Sequence, residues 1–312
     1  MVGLSLFGIV SIVALSISIF LMVNLDSLGT SQYDSAPPIY LFAFYVPPAS
    51  SKYFHEIKKG AELAAKEYEV VLSFHSIDPK DNEIQHAAIS DFNGYIFFPY
   101  NEDSALISQV VKIQNSKRPL IIINHTVKTE KPVPFIGSNN YDVGKKMAHL
   151  IKKTENSHHH LAIVYSKKNP WIFADRELVE LGIRNELHDA ETFSLIRFET
   201  SLNPLDAEAL IYKIIKSYPE INYVLFTDSN DTIAAAQALI DLNEVGRVQV
   251  VGFGNDTVIR DYIRKGVITA SVVISPEEIG YQAVKSLVEL VDSGFTSATV
   301  DTGIEIIEKD TL

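Results

Sequence analysis

Two textures alternate along this chain. Short apolar runs, rich in β-branched and aromatic residues, are separated by stretches whose apolar positions recur at helical spacing. The runs predict strands at Ile39–Tyr45, Val70–Phe74, Gly94–Phe98, Leu120–Ile123, Pro134–Ile136, Leu161–Tyr165, Thr192–Phe198, Tyr223–Phe226, Val248–Phe253 and Thr269–Ile274. The helical stretches fall at 51–68, 80–90, 103–115, 140–153, 174–188, 204–217, 230–242, 256–265 and 276–293. Strands that are apolar throughout and separated by helices belong to parallel sheets covered on both faces. Ten of them exceed one compact sheet of about five or six strands. The expected architecture is therefore α/β, with two stacked, doubly wound parallel-sheet lobes. Asn203-Pro204 marks the start of one helix, and Ser275-Pro276-Glu277-Glu278 opens the last long one with acids at its positive end.

The amino-terminal segment has a different pattern. From Val2 to Val23 there is no charged side chain and no proline, about the 20 apolar residues a helix needs to span a bilayer. Residues 1–25 read as a single transmembrane anchor and the polar stretch 26–37 as a linker. A cleaved signal peptide is the alternative, but the apolar run is long for one, no basic residue precedes it and the flanking NLDSLGT is a poor cleavage site. The first basic residue is Lys52, so loop charge does not set the orientation.

Of 312 residues, 46% are hydrophobic, ample for real cores. A net charge of −12 argues against nucleic acid, whose phosphates require basic patches. With no cysteine there is no disulfide, thiolate nucleophile, zinc-thiolate site or lipid-anchored cysteine.

Catalytic signatures are absent: no nucleophile elbow and no His-Glu-x-x-His helix. Gly252-Phe253-Gly254-Asn255 follows a strand as a dinucleotide fingerprint does, but lacks the third glycine. His158-His159-His160 precedes a strand and reads as a solvated turn rather than a metal site. Neither an enzyme nor a cofactor is expected. The informative residues lie just past the carboxyl ends of strands, where parallel sheets bind ligands. They include Tyr45, Tyr53, Phe54, Asn124, His125, Ser138, Asn139, Asn140, Trp171, Phe173, Asp175, Arg176, Asp228, Ser229, Asn230, Gly254, Asn255 and Asp256. Short amides and carboxylates bond vicinal hydroxyls, and flat aromatic faces cover a sugar ring. Helix capping is the competing role for the Ser, Asp and Asn among them.

Residues 38 to about 306 resemble the type I periplasmic sugar-binding proteins, the ribose, galactose and xylose binders. Tyr53-Phe54-His55-Glu56-Ile57-Lys58-Lys59-Gly60-Ala61 is similar to that family's NPFF…GA first helix, and Pro119 through Asn124-His125 to its PVVTIDR. Ile136-Gly-Ser-Asn139-Asn140 with Gly144 resembles VASDN…G, the crossing between lobes. Ile221 through Asp228-Ser229 to Leu239 follows IDAVFAANDDMALGAIQAL without a gap. Val250-Val-Gly-Phe-Gly254-Asn255 resembles VVGFDG, and Lys265 through Gly280 resembles GKIAATVAQDPYEMG. The strand-end pattern and the resemblance together lead to expected ligand contacts from Tyr53, Phe54, Asn124, His125, Asn139, Trp171, Arg176, Asp228 and Asn255. Several depart from the family: Asn124-His125 replaces its Asp-Arg, Asp228 its Asn, Gly254 its Asp, and Ile274 its Gln. The resemblance also implies a multi-strand hinge, with 38–138 plus 275–302 in the amino-terminal lobe and 139–274 plus 303–312 in the carboxyl-terminal lobe.

Together with the anchor, the chain is similar to membrane-anchored, xylose-type sugar sensors that partner a histidine kinase. The expected role is extracytoplasmic closure on a monosaccharide, signalled to a kinase ectodomain. A sugar-capture subunit working with an ABC permease is the alternative. On this reading Asp228→Ala abolishes sugar binding and leaves the free protein's melting temperature nearly unchanged, and Trp171 fluorescence reports the ligand.

Overall fold

Strands and helices alternate along most of the chain. In this computed structural model, residues 14–20, 40–47, 52–78, 83–99, 104–153, 158–169, 172, 175–190 and 192–312 are described. The first half runs β1 (Leu41–Val46), α1 (Lys52–Glu67), β2 (Val71–Ser76), a 3-10 helix (Glu83–Ile89), β3 (Gly94–Phe97), α2 (Ser104–Asn115), β4 (Leu120–Ile123) and β5 (Phe135–Gly137). After it come α3 (Asn140–Lys152), β6 (His158–Ser166), α4 (Arg176–Glu186), β7 (Thr192–Thr200), α5 (Asp206–Ser217), β8 (Tyr223–Phe226) and α6 (Ser229–Asp241). The chain continues with β9 (Gln249–Phe253), α7 (Thr257–Arg264), β10 (Ala270–Val273), α8 (Pro276–Ser293), β11 (Thr299–Asp301) and β12 (Glu305–Glu308).

The strands form two six-stranded sheets, ordered β2-β1-β3-β4-β5-β11 and β7-β6-β8-β9-β10-β12. Every pairing is parallel except β10 with β12. Both sheets repeat one winding, and in each the direction of growth reverses at the first strand. Such a reversal opens a crevice at the carboxyl ends of the strands. Alternation within a strand feeds both faces: Phe42 and Phe44 join one core cluster, Ala43 and Tyr45 another. In the second sheet Leu161 and Ile163 separate in the same way from Ala162 and Val164.

The lobes exchange helices. After β10 the chain returns as α8 to pack on β3, β4 and β5 and against α1, while α3, which follows β5, packs against α4 and β10. Both helix pairs cross at glycines. A Cβ on Gly280 would stand 1.9 Å from the Ile57 carbonyl oxygen, and one on Gly144 1.9 Å from that of Val179. Any side chain there would push the helices apart.

Three details differ from the sequence reading. The second helix is a 3-10 helix whose buried residues are Ile84 and Ala87; a spacing of three puts both on one side of a three-residue turn. His158-His159-His160 is the start of β6, in register with Thr192, Phe193 and Ser194 of β7, rather than a solvated turn. Burial and the flanking histidines pull the His159 ring below its ordinary range. β11 and β12 are strands the sequence did not reveal, because Thr299–Asp301 and Glu305–Glu308 are short, partly exposed and acid-containing.

Residues 40–312 form one unit and 1–39 another. In the second, residues 14–20 are helical, with Leu15, Ile17, Ile19 and Phe20 exposed. Among the described residues no helix is long and apolar enough to cross a membrane; most of the expected anchor, 1–13 and 21–25, and the linker 26–37 lie outside them.

Candidate functional site

The candidate site is assembled at the carboxyl ends of both sheets. From the first sheet come Asn124 and His125, immediately after β4. Asn124 has φ +64°, a left-handed backbone that asparagine tolerates better than most residues. The His125 N–H closes a tight turn on the Ile123 carbonyl at 2.8 Å. This turn carries the two side chains off the end of the strand. The Tyr53 hydroxyl, on α1, donates to Asn124 Oδ1 at 2.9 Å. Burial pushes that phenol well above its ordinary range, so it remains a donor. With the oxygen engaged, the buried Asn124 Nδ2 has no partner within the protein, an arrangement that invites a ligand acceptor.

Phe54 is placed differently. Its ring is buried and packs 5.1 Å from that of Phe98, inside the core of the first lobe. Tyr53 meets Phe54 edge-on at 6.1 Å. Of this aromatic pair, only Tyr53 reaches the polar end of β4.

From the second sheet come Asp228, past β8, and Arg176, opening α4. Asp228 Oδ1 accepts from the backbone N–H groups of Asn230 and Asp231 at 3.0 and 3.1 Å and so caps α6. Both bonds fall on one oxygen. Burial, with the charge of Asp231 beside it, pushes the Asp228 carboxyl above its usual range. Asp228 therefore has two opposing effects on stability, a helix cap that helps and a buried charge that costs. Arg176 Nε lies 3.3 Å from Glu177 Oε1.

The remaining expected residues divide. Asn139 is exposed and caps α3, accepting from the Tyr141 N–H at 3.0 Å. Asn255 is exposed, and its Oδ1 accepts from Arg260 Nε at 2.6 Å. Trp171 lies outside the described residues. Gly254, with φ +98°, holds the place beside Asn255 where a Cβ would meet that of Ser229 at 2.7 Å.

Other polar residues join this end. Asp175 bonds His125 Nδ1 at 2.8 Å and Asn140 Nδ2 at 3.0 Å. Lys168 Nζ lies 2.6 Å from Asp231 Oδ1, and Thr200 donates to Oδ2 of the same carboxylate. The Asn169 amide donates to the Thr227 carbonyl, while its buried Oδ1 is unpartnered. Lys168, Asn169 and Asp231 were missed. Lys168 and Asn169 follow β6 directly, so the same strand-end signal marks them. Among the described residues no cluster of three metal-ligating side chains occurs.

A surface cavity of about 310 Å³ lies elsewhere, lined by Lys117, Arg118, Lys131, Pro132 and Leu290. It sits at the amino ends of β4 and β5, at the opposite end of those strands from Asn124 and His125. For parallel sheets the carboxyl ends are the better guide to the ligand.

A family model described as periplasmic binding protein domain matches residues 42–294. The chain belongs to that family. Membership implies an extracytoplasmic globular domain. The D-allose-binding periplasmic protein of Escherichia coli (strain K12) is 22% identical over 285 residues, 86% of this chain and 88% of that protein. Among solved structures, the glucose-galactose binding protein GanP of Geobacillus stearothermophilus gives a TM-score of 0.76 at 23% identity, covering 88% of this chain and 99% of that one. XylFII in its complex with LytSN gives 0.74 at 22% identity, covering 88% and 100%. These two likenesses show the fold. The two parallel-sheet lobes are those of a periplasmic binding protein, and its relatives are sugar-binding proteins rather than enzymes.

Proposed function

We propose that this periplasmic binding protein closes its two lobes on a monosaccharide, a pentose such as xylose being favoured. The observations that support the reading are Asn124, with its buried Nδ2 unpartnered within the protein, at the carboxyl end of one sheet, and Asp228 at the carboxyl end of the other. One supplies a neutral donor and the other a carboxylate acceptor, a pair suited to neighbouring hydroxyls. Tyr53, bonded to Asn124, is the aromatic residue of this group. A ligand touching both lobes stabilises whichever state brings them together.

In this reading the hydrophobic amino terminus anchors the domain outside the membrane, and closure is signalled to the ectodomain of a histidine kinase. A tether raises the local concentration of a partner in the same membrane. The solved complex of XylFII with LytSN supports a protein partner for a chain of this fold. The second reading is the substrate-binding component of a sugar ABC transporter, and the allose-binding relative fits it equally well.

Thermal melting of the chain against a panel of pentoses and hexoses tests the proposal. A ligand that binds only the folded form raises the melting temperature, by about 2.7 kcal/mol of added stability at one hundred times Kd. A shift with a pentose supports the reading, a shift with hexoses alone removes the pentose, and no shift with any sugar removes the function. Co-purification from membranes with a kinase or with a permease separates the two partner classes.

A further inference from the structure

Asp175 occupies the N-cap position of α4 yet makes no capping bond to that helix. Aspartate at an N-cap ordinarily accepts from the first turn, and giving that up forgoes a stabilising bond. The carboxylate is turned instead toward the other lobe. Its Oδ1 meets His125 Nδ1 at 2.8 Å, and its Oδ2 meets the amide of Asn140 at 3.0 Å. His125 comes from the end of β4 in the first sheet. Asp175 leads into α4, which packs against α3. Asn140 opens α3, just after the chain has left β5. One carboxylate thus joins the first sheet, the crossing segment and the second lobe.

Three further features fit a built connection. The side chains of His125 and Asp175 are only 11% and 16% exposed, so water competes weakly for the bond. His125 is delivered by the left-handed turn at Asn124, and such strain persists where the surroundings enforce it. A carboxylate can only accept, so Nδ1–H of His125 is the donor in this bond. The arginine that follows Asp175 pairs with Glu177.

We propose that Asp175 is an interlobe strut, a positioning residue that ties His125 to α4 and sets how far apart the lobes stand when no sugar is bound. It touches no ligand. It acts through His125 and through the resting angle of the lobes. The proposal rests on the sugar-binding reading only for its effect on affinity, since the resting angle exists without ligand.

The chain has no native cysteine, so a spin-label pair at Lys66→Cys on α1 and Lys216→Cys on α5 reports the interlobe distance without background. In ligand-free protein, Asp175→Ala and His125→Phe are expected to move the distance distribution to longer values. The double variant is expected to add nothing to Asp175→Ala, because the bond that His125→Phe removes is already lost there. Asp175→Asn retains an oxygen that accepts from Nδ1–H and is expected to keep the wild-type distribution. The same single variants are expected to weaken any sugar that binds about tenfold, as a less populated closed state requires. An unchanged distribution in a folded Asp175→Ala or His125→Phe protein overturns the strut, and so does a double variant that opens further than Asp175→Ala. Should Asp175→Ala fail to fold, His125→Phe decides alone. If no sugar binds the wild type, the sugar reading fails, while the distance measurement still judges the strut.

Discussion

Lys168 Nζ stands 2.6 Å from the carboxylate of Asp231, a side chain only 1% exposed, and Thr200 donates to the other oxygen. This pair lies beneath the Asp228 cap at the carboxyl end of the second sheet. Removing one member of a buried pair leaves the other charge uncompensated, at a cost of about 3–5 kcal/mol. Lys168→Met is expected to lower stability by roughly that amount in urea unfolding, with Asp231→Asn losing less because Lys168 keeps some access to water. Equal stability for Lys168→Met and wild type would show that Thr200 alone satisfies Asp231.

Asp228 gives a pH dependence of definite sign. Its folded pKa is raised by burial first and then by Asp231. A raised carboxyl contributes stability that is present below the unfolded pKa, about 3.9, and lost as pH rises through the folded value. At neutral pH the ionised group is therefore a net cost. Asp228→Asn keeps a capping oxygen and removes the charge. It is expected to melt above wild type at pH 7, with the gap closing toward about pH 4. Asp228→Ala also loses the cap and is expected to fall about 1 kcal/mol below the Asn variant. If the sugar reading is right, both weaken binding by about 10–100-fold, the worth of a hydrogen bond to a charged group.

The helix crossing at Gly280 is tested by Gly280→Ala. The new methyl meets backbone, which has nowhere to go, and a loss of about 3 kcal/mol is expected. Gly94→Ala is the control, since its methyl would meet only the flexible end of Leu287. A smaller loss is expected there, and chemical denaturation of the two variants checks the order.

Asn124 separates backbone from side chain. At φ +64°, Asn124→Ala is expected to cost about 1–2 kcal/mol, the price of a left-handed alanine, whereas Asn124→Gly is expected to be no less stable than the alanine variant. Both remove the amide that faces the site, so calorimetry should show sugar binding lost in each. Binding retained by the glycine variant would assign Asn124 a purely local role.

The strands and helices were legible because this fold writes its layers plainly. Leu120–Ile123 and Tyr223–Phe226 are uninterrupted apolar runs, and both strands fall where the runs do. The helix 276–293 was marked by Pro276 and the acids after it, and it spans those residues. β11 and β12 escaped because edge strands of three and four residues carry no long apolar run. The site was half legible. Strand ends pointed to Asn124, His125 and Asp228, but no sequence pattern says which side chain a neighbour has already claimed. Asn255 is taken by Arg260 and Phe54 by Phe98. The partner of His125 lies fifty residues along the chain, a distance only the fold closes.

The exchange of α8 into the first lobe has a consequence for biogenesis. Ile57 on α1 waits for Gly280, and β5 waits for β11, so the first half of the polypeptide lacks a wall until nearly all of it has been synthesised. Contacts of such long sequence separation form late and slowly. A chain that stays loose until its last elements emerge suits passage through a narrow export channel, and premature termination near residue 275 would yield a product with an open flank and a tendency to aggregate.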